Sequence, residues 1–289
     1  MKVTLRGTRG SLAVPGATTM HYGGNTSCVE VRGDDGTLLI LDAGTGIRAL
    51  GMEVESDLRR VDILLSHLHM DHIQGLGFFG PLFWPKLEVH LWGPPSTTLD
   101  LHARLSRYLS PPLFPVRLRD LPCDLTLHDV VALGGFSVGG FRVEAELVCH
   151  PGPTVGYRIT GDGATLCYIP DHEPALGAEN FCDEPNWLSG YDLAQGADLL
   201  IHDSQYTPEQ YANFVGWGHS SIEDALAFAT AAKVRHFVAF HHDPSHTDAI
   251  LETLYSDVRE RFELPFELSV GFEGQIFEIA NNGATPNSV

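Results

Sequence analysis

Six consecutive residues, HLHMDH from His67 to His72, follow directly on the apolar run 61–65 and restrict the chain to folds in which a buried strand ends in a cluster of metal-binding side chains. A strand places side chains two apart on one face, so His67 and His69 can reach one ion as the strand ends. A turn beginning near Met70 then sends Asp71 and His72 toward a neighbouring ion. Imidazole and carboxylate suit a borderline divalent cation, Zn(II) first, with Mn(II) or Fe(II) as alternatives. The packet is half of such a site, so further ligands must come from elsewhere in the chain.

Three residues stand at strand-like ends. His150 precedes a Pro/Gly turn and can complete a set with His67 and His69. Asp171 ends LCYIP and can bridge two cations, while His241 ends HFVAF and can join Asp71 and His72. Taken alone, His150 reads rather as a surface turn histidine, and Asp171 equally as a turn or helix-capping residue. His90, His102 and His128 have no supporting pattern and read as structural or surface residues.

The rest of the chain fits this placement. Short apolar runs bounded by Gly or Pro predict strands over 3–5, 28–31, 38–41, 61–65, 87–92, 141–148, 155–159, 165–169, 199–201, 236–240, 266–270 and 275–279. Helices are expected over 98–108, from a cap at Ser220 or Ser221 through Ala232, and over 247–262. The tail NNGATPNSV is expected to fray. Strands and helices alternate through both halves, which suits a layered α/β sandwich forming one domain over 1–289.

Composition narrows the function. Eighteen basic against 37 acidic residues give a formal charge of −19, and no basic block is present. A nucleic-acid partner is not expected, because phosphate contacts need a Lys/Arg stripe. Small phosphate esters stay open, since bound cations create a local positive field. No segment approaches the roughly 20 apolar residues that span a bilayer, and the start MKVTLRGTRGS has no long apolar core, so a cytoplasmic protein without membrane attachment is expected. The five cysteines, Cys28, Cys123, Cys149, Cys167 and Cys182, are scattered without a CxxC and read as packing residues.

With the packet, His150 before GYRI, Asp171, the segment GHSS and the strand into His241, the chain resembles the metallo-β-lactamase superfamily over nearly its whole length. The resemblance implies a four-layer αββα sandwich and two divalent ions, His67, His69 and His150 on one, Asp71, His72 and His241 on the other, bridged by Asp171. It also implies that Asp42, in LDAG, orients a ligand histidine. GTRGS, GGNTSCVEV, VGYRI and ADLLIHDSQYT followed by GHSS are similar to the phosphodiesterase branch containing ribonuclease Z and the phosphoribosyl cyclic phosphodiesterases. His219 there matches a histidine that protonates the departing oxygen, with a helix-start histidine as the plain alternative. His202 and Asp203 resemble that branch's His-Glu pair, with the shorter Asp in place of Glu. No basic arm lies between His72 and residue 87, unlike a tRNA-processing relative.

The resulting expectation is hydrolysis of a small phosphodiester, cyclic or linear, by a metal-bridging hydroxide, with Asp71 and His219 as catalytic residues. The alternatives are a thioester, lactone or other carboxylic ester substrate, or a metal-dependent binding protein without catalysis. The stretch 172–195 is a candidate flap, with Trp187 and Tyr191 as an apolar wall or as packing. The aromatic loop 78–85 is a candidate homodimer surface, pocket rim or local core.

Overall fold

The computed structural model describes residues 1–130, 134–174, 176, 181, 184, 187–280 and 283–287. The first sheet contains β1 (Lys2–Gly7), β2 (Cys28–Arg32), β3 (Leu38–Leu41), β4 (Arg60–Leu64), β5 (Glu88–Gly93), β6 (Asp124–Asp129), β14 (Ile276–Ala280) and β15 (Gly283–Asn287), in the order β15-β14-β1-β2-β3-β4-β5-β6. The second contains β7 (Gly135–Val138), β8 (Phe141–Leu147), β9 (Val155–Gly161), β10 (Ala164–Ile169), β11 (Leu199–Asp203), β12 (His236–Phe240) and β13 (Glu267–Val270), ordered β13-β12-β11-β10-β9-β8-β7.

Strand periodicity explains how the two sheets stack. In β3, Leu39 and Leu41 join the core that also takes Val143, Tyr157, Ile201 and Phe240 from the second sheet. Leu38 and Ile40, one residue out of phase, face the opposite way, into a cluster with Ile47 and Leu50 of α1 (Ile47–Glu53). The outer face of the second sheet is covered by α6 (Ile222–Ala231) and α7 (Asp248–Arg261), which bury Leu226, Phe228, Leu251 and Tyr255 against Leu200 and Phe237. Helix, sheet, sheet and helix therefore form the four layers expected.

Boundaries follow local chemistry. Of the two candidate caps, Ser221 starts α6, its hydroxyl accepting from Asp224 N–H at 3.0 Å. Thr247 caps α7 in the same way. The helix expected over 98–108 shortens to α3 (Leu101–Leu105), because Asp100 takes the N-cap and accepts from Ala103 N–H at 2.7 Å. The tail expected to fray instead pairs residues 283–287 antiparallel with β14. The aromatic loop 78–85 is divided: Phe79, Pro81 and Leu82 are buried as local core beside α1, while Phe78 and Phe83 are 58% and 39% exposed. Among the described residues no helix is long and apolar enough to cross a membrane. Cys28, Cys123 and Cys167 are buried free thiols and Cys149 is half-buried, as packing residues are; Cys182 lies outside the described residues.

Candidate metal centre

β4 ends at Leu64 and the chain bends at Ser66, so His67 and His69 follow the strand rather than continue it, and the packet turns at Met70 into α2 (Met70–Ile73). His69 is the N-cap with ψ 154°, still extended, and the helix begins at the next residue. His150 sits beyond β8, Asp171 beyond β10 and His241 beyond β12, and these strand ends meet α2 at one edge of the sandwich.

Two groups of donor atoms result. His67, His69 and His150 lie with their donors within 4.8 Å of one another, as do Asp71, His72, Asp171 and His241. Asp171 stands between them. Its Oδ2 is 3.7 Å from His67 Nε2 and 3.8 Å from His150 Nε2, whereas Oδ1 is 3.0 Å from His72 Nε2 and 3.4 Å from His241 Nε2. Asp71 Oδ2 is 3.1 Å from His241 Nε2 and accepts from Ser11 N–H at 2.7 Å.

The far side of each ring fixes its tautomer. His72 Nδ1 donates to Asp42 Oδ2 at 2.8 Å, His150 Nδ1 to the Gly218 carbonyl at 2.7 Å and His241 Nδ1 to Gln205 Oε1 at 2.8 Å. Their Nε2 atoms therefore point inward. Nε2 of His72 and Nε2 of His241 are 3.3 Å apart, with two carboxylates around them. His67 Nε2 is buried without a hydrogen bond among the described residues. Buried acceptors without donors are costly, and a divalent cation is what this N/O donor set fits.

Ionisation agrees with that fit. Burial lowers His67, His69 and His150, leaving neutral imidazoles able to ligate. Burial penalises the Asp171 carboxylate, but His241, His72 and His67 overcome it and hold Asp171 well below the usual range. Burial likewise opposes charge on His72, yet Asp171, Asp71 and Asp42 raise it, so a cation arriving there displaces a proton.

A further layer supports these side chains. Asp42, fully buried with φ +58°, also accepts from Ser66 N–H, Ser66 Oγ and Tyr168 OH at 2.7–2.8 Å. His241 has φ +60°, and both residues hold a left-handed backbone that ordinary side chains avoid. Gly10 packs on the His241 ring: a Cβ there would lie 2.3 Å from Nδ1. The loop bearing Gly10 and Ser11 is pinned by Arg9, whose buried guanidinium donates to the Gly23 and His246 carbonyls at 2.8 and 2.6 Å.

His219, on the loop before α6, joins the same cluster. Its Nδ1 is 2.7 Å from Asp203 Oδ2 and 3.8 Å from Asp171 Oδ2. Burial works against its charge, but Asp203, Asp171 and Asp71 raise it to about 9. Asp203 and His202 divide: Asp203 faces His219, whereas His202 turns inward, stacked on Phe228 and hydrogen-bonded to His172 at 2.9 Å. Ser11, Ser66, Gln205 and Tyr168 were not picked out by the sequence, since single Ser, Gln and Tyr residues give no spacing signal. His90 and His128 pair with each other at 2.8 Å away from this cluster, and His102 is exposed. Of the candidate flap, residues 175, 177–180, 182, 183, 185 and 186 lie outside the described residues; Trp187 is 82% exposed and Tyr191 packs on the outer core.

Residues 37–242 match the family model of the beta-lactamase superfamily domain. A ribonuclease Z from Myxococcus xanthus is 25% identical over 96% of this chain and 98% of its own length. Among solved structures, the metallo-beta-lactamase fold protein YhfI from Bacillus subtilis superposes with a TM-score of 0.68 at 19% identity, covering 96% of this chain and 99% of that one. A diphosphatase from the PhnP family gives 0.66 at 16% identity, covering 96% and 97%.

Proposed function

The chain belongs to the beta-lactamase superfamily, and from that membership and its site we propose that it is a metal-dependent hydrolase cleaving a small phosphodiester. The observation that carries the reading is the convergence of possible ligand atoms: the Nε2 atoms of His72 and His241, with their Nδ1 atoms engaged elsewhere, face each other and two carboxylates inside the fold. His67, His69 and His150 would hold one divalent ion and Asp71, His72 and His241 a second, with one oxygen of Asp171 toward each. Zn(II) suits these ligands, with Mn(II) or Fe(II) as alternatives. When bound, such ions supply Lewis-acid stabilisation of charge on phosphoryl oxygens and an ionised water nucleophile at neutral pH.

The remaining work falls to side chains. Asp203 orients His219 through Nδ1 and keeps it protonated, leaving Nε2 to donate to the departing oxygen. Asp71, held by the Ser11 amide, fixes the acceptor side opposite His241. The Myxococcus relative's name points to RNA, but a formal charge of −19 without a basic block favours a small substrate over a polyanion.

The test is turnover of bis(p-nitrophenyl) phosphate beside p-nitrophenyl acetate, before and after chelation. Phosphodiester cleavage that is lost on chelation and restored by Zn(II) or Mn(II) is expected. Cleavage of the carboxylic ester alone would replace this reading with an esterase, and turnover of neither by metal-loaded protein would leave a metal-dependent binding protein.

A further inference from the structure

A cavity of about 760 Å³ lies between residues 95–99, which follow β5, and the turn 147–153 that carries His150. Its volume is in the range of small-molecule sites. Leu99 and Leu147 line it and are 37% and 50% exposed, so two large apolar side chains face this cavity without being sealed in a core. Val148 and Pro153 extend the same apolar wall. Arg104 and Arg107 supply the opposite character. Arg104 is anchored by the Pro94 carbonyl at 2.6 Å and by Asp129 at 3.2 Å, whereas the Arg107 side chain makes no hydrogen bond or ion pair among the described residues.

Other cavities of this chain also carry arginines, but here the two guanidiniums face an apolar wall built on the turn that bears His150. An unpaired arginine beside exposed leucines favours a ligand that is apolar along its body and anionic at its tip. The turn 147–153 ties the cavity to the metal ligands: within it, His150 is fixed by the Gly218 carbonyl and approaches His69 at 3.2 Å, while Leu147, Val148, Gly152 and Pro153 line the cavity.

We propose that this cavity is a subsite for one arm of the substrate, an apolar group of aryl size ending in an anion. The inference rests on the phosphodiesterase reading for what sits at the metal ligands, and the apolar, cationic lining then selects among phosphodiesters. Substrates with a short neutral arm leave the subsite empty.

The experiment compares 4-carboxyphenyl p-nitrophenyl phosphate with methyl p-nitrophenyl phosphate for the metal-loaded wild type, Leu147→Asp and Arg107→Glu. In parallel, binding of 8-anilinonaphthalene-1-sulfonate, an aryl anion without a phosphoryl group, is followed by fluorescence. In wild type, the carboxyphenyl diester should have a KM about ten-fold lower than the methyl diester, and each variant should raise that KM about ten-fold with kcat and the methyl diester unchanged, as expected for loss of one charge-assisted or apolar contact. The dye should bind at one site, weakened in both variants and displaced by 4-carboxyphenyl phosphate. Dye binding that ignores both substitutions, or equal KM values for the two diesters in wild type, overturns the subsite. Failure to cleave either diester while dye binding behaves as expected removes the phosphodiesterase reading and leaves the cavity an aryl-anion site.

Discussion

Asp42 shows how much of the site depends on residues that touch no substrate. It accepts from four donors, among them His72 Nδ1, and holds a left-handed backbone that Asn also tolerates. Asp42→Asn should therefore fold, yet lower metal affinity by about 10- to 100-fold, the usual effect of weakening a partner behind a ligand histidine; a competition titration with a chromogenic chelator measures it. His219 has a different signature. Its acidic neighbours raise it to about 9 without metal, and bound cations would oppose that charge, so the acid form should be lost and kcat/KM should fall on the alkaline side at or below about 9. His219→Ala should keep its metal, lose that alkaline limb and slow turnover by about 10²- to 10⁴-fold. The spacing of HLHMDH and the strand ends before His150, Asp171 and His241 made the inward-facing residues legible in sequence. Gln205, Ser66 and the Ser11 amide were not, because a group that acts through another residue is recognisable only once the fold brings the two together.

At the scale of elements, the strands were the readable part. Apolar runs such as residues 38–41 and 236–240 are buried on both faces and carry no competing signal. The misses have physical causes. β6 (DLTLHD) alternates apolar and polar residues at a sheet edge, where Asp and His mask the strand pattern, and α1 carries a glycine that weakens a helical reading. The long expected helix starts late because Asp100 accepts from Ala103 N–H and caps it there. Caps also set the positions of site residues. Ser221 starts α6 two residues after His219, and Ser220 Oγ donates to the His172 carbonyl, next to Asp171. Ser221→Ala should cost about 1 kcal/mol, within the range for losing an N-cap. Urea unfolding measures that cost, and a loss of His219-dependent rate larger than the loss of stability would show that the cap also positions the loop.

For the whole molecule, the buried imidazoles couple folding to pH. Burial lowers His202 to about 4, against the attraction of Asp203 and a hydrogen bond to its carbonyl, and lowers His242 to about 3. Each remains neutral in the fold while the unfolded chain takes up a proton below about 6.5, so the unfolded state binds more protons and stability falls as pH drops from 6.5 toward those values. Between pH 7 and pH 5 the loss should be about 2 kcal/mol for each residue. Urea unfolding of chelated protein at the two pH values tests this, and an unchanged midpoint would contradict it. The two sheets bring strand ends from residues 64 to 240 to one edge, and the proposed chemistry depends on that edge holding a pair of cations. Elemental analysis of protein purified without added metal, beside Asp171→Asn, tests this most directly. About two divalent ions per chain are expected in the wild type, with reduced occupancy in the variant; wild-type protein that remains free of metal even after equilibration with Zn(II) and Mn(II) would contradict it.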